Sequence, residues 1–252
     1  VMDPKSKQIK ALKHVIKNND KDQRFLDQAI LEHKVGQKLD HPNLRRVIKL
    51  IKHRKRFRVA EVSLVMELVD AVGLEQRLPR TYVQAVEVFR QVASALAHMH
   101  DRGFIHADPK PSNLLITDKG HVKLIDLGQS CAVGTIKKRI QGTPGYMAPE
   151  QAHRQAITQQ TDIYNFGATM YWVLVRDVIP TALPPKGDDS NGAIYSGAIE
   201  AEQIPPPVPP HEKNPLIPQL LSKLVLDCVK VEPHQRPASM REVIRRLDLI
   251  HD

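Results

Sequence analysis

The sequence predicts an α+β fold built from two unlike lobes, on three observations. The first 70 residues carry short strand-like runs, the remainder carries helical periodicities, and a long amphipathic helix over 81–102 opens that second part. Taken in order, Ile9–Ile16 is short and apolar-rich and predicts a strand holding Lys13. Asp20–Leu39 predicts a helix with Phe25, Ala29 and Ile30 on one face, and Asp20 and Asp22 suit its N-terminus, where the helix dipole favours negative charge. Val47–Ile51 and Val59–Leu68 predict strands, the second nearly continuous in apolar residues as a buried strand is. In Thr81–Arg102, Val86, Phe89, Val92, Ala93, Leu96 and Met99 keep helical spacing, and Gly103 ends the helix. Asn113–Ile116 and His121–Ile125 flank a turn at Thr117–Gly120 and predict a small hairpin. Thr161–Val175 predicts an apolar helix, and helices near Ile217–Val229 and Ser239–Leu249 close the chain. Between them, residues 176–218 hold 10 of the 19 prolines and predict a long irregular insertion.

Composition narrows the class. The chain has 252 residues, 41% of them hydrophobic and 26% charged, which is ordinary for a globular protein. No apolar run reaches the roughly 18 residues that span a bilayer, and Val1–Lys13 is too charged for a secretory signal. Two cysteines, Cys131 and Cys228, build neither a disulfide framework nor a cysteine zinc site, so a cytoplasmic setting is expected. His98, His100 and His106 lie close together, but no carboxylate completes a metal-ligand spacing. The net charge of +9 is uneven: residues 1–60 hold 17 Lys/Arg against 6 Asp/Glu, and the rest 20 against 22. The densest run, Arg45–Arg58, admits a nucleic-acid or anionic-lipid site. It reads better as a solvated basic hairpin, because only Phe57 interleaves for stacking, and no nucleic-acid partner is expected. Ile204–Pro210 reads as a stiff loop rather than a polyproline docking ligand.

The chemistry concentrates in three segments. His106-Ala107-Asp108-Pro109-Lys110-Pro111-Ser112-Asn113 lies between the long helix and the hairpin. Asp126-Leu127-Gly128 begins thirteen residues past Asn113, and Gly142-Thr143-Pro144-Gly145-Tyr146-Met147-Ala148-Pro149-Glu150 follows. Each piece is weak alone; their order and spacing together are specific. The chain resembles the protein kinase superfamily, whose signature runs H-R-D-L-K-P-x-N, D-F-G, A-P-E. The wording around Thr143 and the lysine two residues after Asp108 are closest to bacterial-type serine/threonine members, and the resemblance covers essentially the whole chain.

That resemblance implies a bilobal kinase fold, with a β-rich N-lobe over 1–69 and a helical C-lobe over 70–252. It implies transfer of the ATP γ-phosphoryl group to a Ser/Thr hydroxyl of a protein substrate, with Mg²⁺. Asp108 would orient the attacking hydroxyl and accept its proton, with Lys110 beside the transferred group. Asn113 and Asp126 would supply oxygen ligands for Mg²⁺, a hard cation. Ala11 and Lys13 match the strand lysine motif that holds the α- and β-phosphates, and Glu32, nineteen residues on, would pair with Lys13. Met66, Glu67 and Val69 resemble the hinge, Met66 at the rear of the adenine pocket and the backbone near Glu67 and Val69 meeting adenine. Thr135, Thr143 and Glu150 belong to the activation segment. His106, Asp162 and Arg236 would be structural, Asp162 holding the catalytic loop and Arg236 pairing with Glu150.

The match departs in four places. No glycine-rich loop is seen; Val1 matches the valine that follows that loop, so the chain is expected to begin inside a longer protein, in keeping with the missing initiator Met. Ala107 replaces the arginine beside the catalytic Asp, and Pro109 the following leucine. Gly36 stands where a bulky apolar residue links the helix to Asp126-Leu127-Gly128, which predicts a poorly anchored helix open to control by a regulatory partner or homodimer. The alternative to an active enzyme is a pseudokinase or scaffolding module, against which Lys13, Glu32, Asp108, Asn113 and Asp126 form a complete set.

Overall fold

A computed structural model describes residues 1–2, 7–55, 58–183, 198–200 and 203–250. Phe57, and 184–197 with 201–202 of the proline-rich stretch, lie outside the described residues. In the first lobe β1 (Lys10–Ile16), β2 (Val47–Lys55) and β3 (Arg58–Glu67) form an antiparallel sheet in the order β1-β3-β2. β3 is central because it is the most apolar of the three, with Val62, Ser63, Leu64 and Met66 buried. The register sets Ala11 opposite Met66 and Lys13 opposite Leu64. β2 runs on past Ile51, and its Ile51–Lys55 half is exposed. The basic run is therefore largely the outer half of a solvated hairpin, Arg45 excepted.

The helix expected over 20–39 divides. A 3₁₀ turn at Asp20–Asp22 is capped by the Asn19 side chain, which accepts from the Lys21 N–H at 2.9 Å. α1 (Gln23–Gly36) follows. Its inward face differs from the expected one. Leu26 and Ala29 are buried against Val62, whereas Phe25 is 43% exposed with the Arg24 guanidinium 4.5 Å from its ring centre. Each helical residue advances about 100°, so seating Leu26 on the sheet swings Phe25 to the solvent side. The same phase buries Glu32.

Gly36 also differs from expectation, for it leaves no gap. It is the last residue of α1, and a Cβ there would sit 2.5 Å from Cγ2 of Val47 and 3.6 Å from Cδ1 of Leu127. The missing side chain lets β2 close directly onto the helix end. The Gln37 Nε2–H donates to the Val47 carbonyl at 2.7 Å across the same contact. α1 is thus held by close packing rather than by an apolar side chain of its own.

The second lobe opens with β4 (Val72–Gly73), which joins β6 (Leu114–Ile116) and β7 (Val122–Leu124) in a small antiparallel sheet. α2 (Tyr82–Asp101) starts at Thr81, whose hydroxyl accepts from the Gln84 N–H at 3.2 Å. α4 (Gln159–Val175) crosses α2, and Phe89 meets Phe166 edge to face at 6.0 Å. α6 (Gln219–Cys228) and α7 (Met240–Leu247) complete one continuous core with them. Short pieces fix the loops: α3 (Pro149–Ala152), β5 (Phe104–Ile105) paired with β8 (Cys131–Ala132), and β9 (Thr135–Ile136) paired with β10 (Ala156–Ile157). The proline-rich stretch is not wholly irregular, since α5 (Pro210–Lys213) forms one helical turn starting on Pro210.

Gly36→Ala is expected to destabilise the protein by about 1–3 kcal/mol through overpacking against Val47, despite a helix-propensity gain of about 1 kcal/mol. Val47→Ala in the same chain should restore part of the loss. Denaturant midpoints of the three variants measure both.

Candidate active site

The loop between β5 and β6 takes its shape from one buried carboxylate. Asp162, in the first turn of α4 and wholly buried, accepts from the N–H of His106 at 2.9 Å, from the N–H of Ala107 at 2.7 Å, and from His100 Nε2 at 2.8 Å. Ala107 adopts φ +65°, a left-handed conformation that costs a non-glycine residue energy. Its N–H bond to Asp162 and its carbonyl, which accepts from Gln151 Nε2 at 2.8 Å, hold it there. His106 accepts the Asp108 N–H on Nδ1 at 3.3 Å and donates from Nε2 to the Ile125 carbonyl at 3.2 Å. It therefore ties this loop to the strand leading into Asp126.

Asp108 emerges from that loop 6% exposed. Thr143 donates its hydroxyl to Asp108 Oδ1 at 2.8 Å, and Lys110 Nζ lies 3.2 Å from Oδ2 and 2.7 Å from the Thr143 oxygen. Burial raises the Asp108 carboxyl above its ordinary range; Lys110 and Thr143 offset part of that shift. Asn113 donates Nδ2–H to the Asp108 carbonyl at 2.9 Å, leaving its amide oxygen as the atom available to a cation.

Lys13 brings the two lobes' charges together. Its ammonium lies 2.8 Å from Glu32 Oε2 and 3.3 Å from Asp126 Oδ1. Burial alone would lower the Lys13 ammonium, but Glu32 and Asp126 outweigh it and hold it above its usual value. Burial works to raise Asp126, yet Lys13 and the Gly128 N–H, which donates to it at 3.3 Å, hold it below its usual value. Asp126 itself has φ +63°. The two acidic groups of the site are tuned in opposite directions.

On β3, Met66 is buried with Val47 and Leu64 and against Ala11. The Glu67 side chain accepts from Lys123 Nζ at 3.0 Å and from the Arg46 N–H at 3.1 Å. The Val69 N–H makes no hydrogen bond among the described residues, while its carbonyl accepts from Ala71 at 3.0 Å. One side chain that the sequence reading missed lies here. Arg45 donates Nε–H to the Glu67 carbonyl at 3.1 Å, and its backbone N–H bonds the Leu124 carbonyl at 3.1 Å. Its place inside a basic run concealed it.

The segment from Asp126 to Glu150 is tied down at both ends. Thr135 lies in β9 with its hydroxyl donating to the Ala132 carbonyl at 2.6 Å, and Lys137 turns inward to donate to the Gln129 carbonyl. Glu150 is buried and meets Arg236 through two parallel bonds of 2.7 and 3.0 Å; Arg236 also donates to the carbonyls of Gln160, Lys230 and Val231. Gln151 was also missed. Its Nε2 reaches the Ala107 carbonyl, and its oxygen accepts from Asn165 Nδ2 at 2.7 Å, so α3 and α4 are both joined to the loop of Asp108. A helix-start glutamine carries no signal of this reach in the sequence.

Comparison with known proteins gives one consistent result. Residues 1–246 match the protein kinase domain family. A probable serine/threonine-protein kinase of Clostridium acetobutylicum is 29% identical over 73% of the chain and 28% of its own length. Serine/threonine-protein kinase PknB of Mycobacterium tuberculosis is 29% identical over 75% of the chain and 30% of its own. Serine/threonine-protein kinase PrkC of Bacillus subtilis is 27% identical over 85% of the chain and 32% of its own. The chain thus spans about a third or less of the length of these curated relatives.

Arg236→Met is expected to cost about 3–5 kcal/mol, because it leaves the Glu150 carboxylate buried without its cation. Adding Glu150→Gln should recover part of that. Urea unfolding of the single and double variants tests the pair.

Proposed function

The chain belongs to the protein kinase domain family, and on that premise we propose that it is a bacterial-type serine/threonine protein kinase that moves the γ-phosphoryl group of ATP to a Ser or Thr hydroxyl of a protein. The observation that carries this reading is the Lys13 ammonium bridging Glu32 of α1 and Asp126 of the second lobe. It is a preassembled cation beside a carboxylate, at the point where a triphosphate needs charge compensation. We take 1–69 and 70–252 as the two lobes, with the nucleotide between them and its base against the backbone of Glu67 and Val69. A cytoplasmic setting is proposed with it. Among the described residues no helix is long and apolar enough to cross a membrane.

In the proposed reaction, Asp108 accepts a hydrogen bond from the substrate hydroxyl and takes its proton as the oxygen attacks. A bond forms between that oxygen and the γ-phosphorus, and the bond from the γ-phosphorus to the bridging oxygen breaks, so that ADP leaves. Burial of Asp108 favours this by making its carboxylate a better proton acceptor. Lys110, held by Thr143 and Asp108, lies where it can meet charge building on the transferred oxygens. The donor set suits magnesium: a carboxylate at Asp126 and an amide oxygen at Asn113 are hard ligands, and nucleotide phosphates with water would complete the sphere. A magnesium ion held by Asp126 and Asn113 would neutralise phosphate charge.

The loop of Asp108 offers no arginine to a phosphorylated activation segment. Ala107 has no side-chain donor, and a phosphate on Thr135 would meet Lys137, Lys138 or Arg139 only as a local, solvent-screened contact, with Lys137 already drawn to the Gln129 carbonyl. Activity is proposed to be independent of activation-segment phosphate.

Two outcomes are expected. Asp108→Asn should lower radiolabelled phosphate transfer to a protein acceptor by about 10²–10⁴-fold while leaving MgATP affinity within about threefold; undiminished transfer would remove Asp108 from the role. Phosphatase treatment and Thr135→Ala should each change turnover less than about threefold, and a large parallel loss would show that a phosphate is needed after all.

A further inference from the structure

Arg45 leaves the basic run to which it belongs in sequence. Its backbone is pinned to the Leu124 carbonyl, two residues ahead of Asp126, so its side chain starts at the floor of the cleft and not on the exposed hairpin. The half-buried guanidinium then reaches the Glu67 carbonyl with Nε at 3.1 Å. Glu32, Glu67 and Asp126 are the carboxylates whose charges act on it. Its two terminal nitrogens make no hydrogen bond among the described residues.

This geometry bears on the nucleobase. Under the nucleotide reading above, on which this inference rests, the Glu67 carbonyl is the acceptor for the amino group of adenine. A guanidinium carries only donors. Arg45 therefore occupies one lone pair of that acceptor and sets further N–H groups beside the base edge. An amino group at purine C6 meets donors there, whereas an oxo group at C6 meets partners. A charge-assisted bond of this kind is also stronger than a neutral one.

We propose that Arg45 is a specificity-determining residue that broadens base selectivity, so that the cleft takes 6-oxopurine nucleoside triphosphates alongside ATP. ATP keeps the second lone pair of the Glu67 carbonyl and the unpaired Val69 N–H. A 6-oxopurine triphosphate gains a donor at its oxygen from the free end of Arg45, with its N1 proton turned to the second lone pair of the Glu67 carbonyl rather than opposing the Val69 N–H.

Calorimetric titration with MgATP and with MgITP, which differ at purine C6 and in the attendant N1 proton, tests this on the chain and on Arg45→Met. The unmodified chain should bind the two nucleotides within about tenfold of each other, and Arg45→Met should shift the ratio about tenfold toward ATP, the worth of one charge-assisted hydrogen bond. A preference of the unmodified chain for ATP beyond tenfold overturns the proposal whether or not the variant folds, and so does an unchanged ratio in a folded Arg45→Met. Binding of MgATP with an unchanged ratio would remove Arg45 alone; failure of the full-length protein to bind either nucleotide would remove the phosphotransfer reading itself.

Discussion

Asp162 carries no solvent exposure, yet its two oxygens satisfy three donors from two other elements, His106, Ala107 and His100. A buried carboxylate without such donors would cost several kcal/mol. The same donors are what bend the chain at Ala107 into a left-handed conformation that alanine does not favour. The strain and the burial thus hold each other in place. Asp108 follows one residue later, and Asn113, Lys110 and Thr143 are all referenced to it. His106, bonded to the Ile125 carbonyl, carries the same frame across to Asp126. The geometry of the Asp108 loop is thus set from α4, which also donates from the Thr169 hydroxyl to the Pro109 carbonyl at 2.7 Å.

Two acidic residues in one cleft are usefully unlike. Asp108 is nearly enclosed, and desolvation dominates its protonation; Asp126 is desolvated too, but the Lys13 cation at 3.3 Å and the Gly128 N–H together outweigh that. One carboxylate is inclined toward holding a proton and the other toward staying ionised. Thr143 works against this difference, since its donated hydrogen bond lowers Asp108. It fills a hydrogen-bonding site on Asp108 that a buried acid would otherwise leave open.

Much of this was legible in the sequence because motif residues sit at fixed offsets from one another. The three strands of the first sheet, the hairpin of β6 and β7, α2 and α4 could be read from period and order, and the Lys13–Glu32 pair from the family resemblance. What could not be read depended on phase and direction. Phe25 and Leu26 are adjacent and both apolar, and only the position of β3 decides which turns inward. Gly36 looked like a missing contact because a sequence does not show that Val47 moves in to take the space. Arg45 looked like one more surface charge because its neighbours are. Gln151 had no period or partner to mark it, though it joins three segments.

The fit of Gly36 against Val47 has a mechanical consequence. A helix that ends on a side chain can pivot about it, as a joint does. A helix whose backbone lies flush against a strand, with Gln37 bonded across the seam, behaves as one plate with that strand. Glu32 rides on that plate and Lys13 on β1, at the other edge of the same sheet. A displacement of the Lys13 backbone from Asp126 then carries sheet and helix together rather than the helix alone.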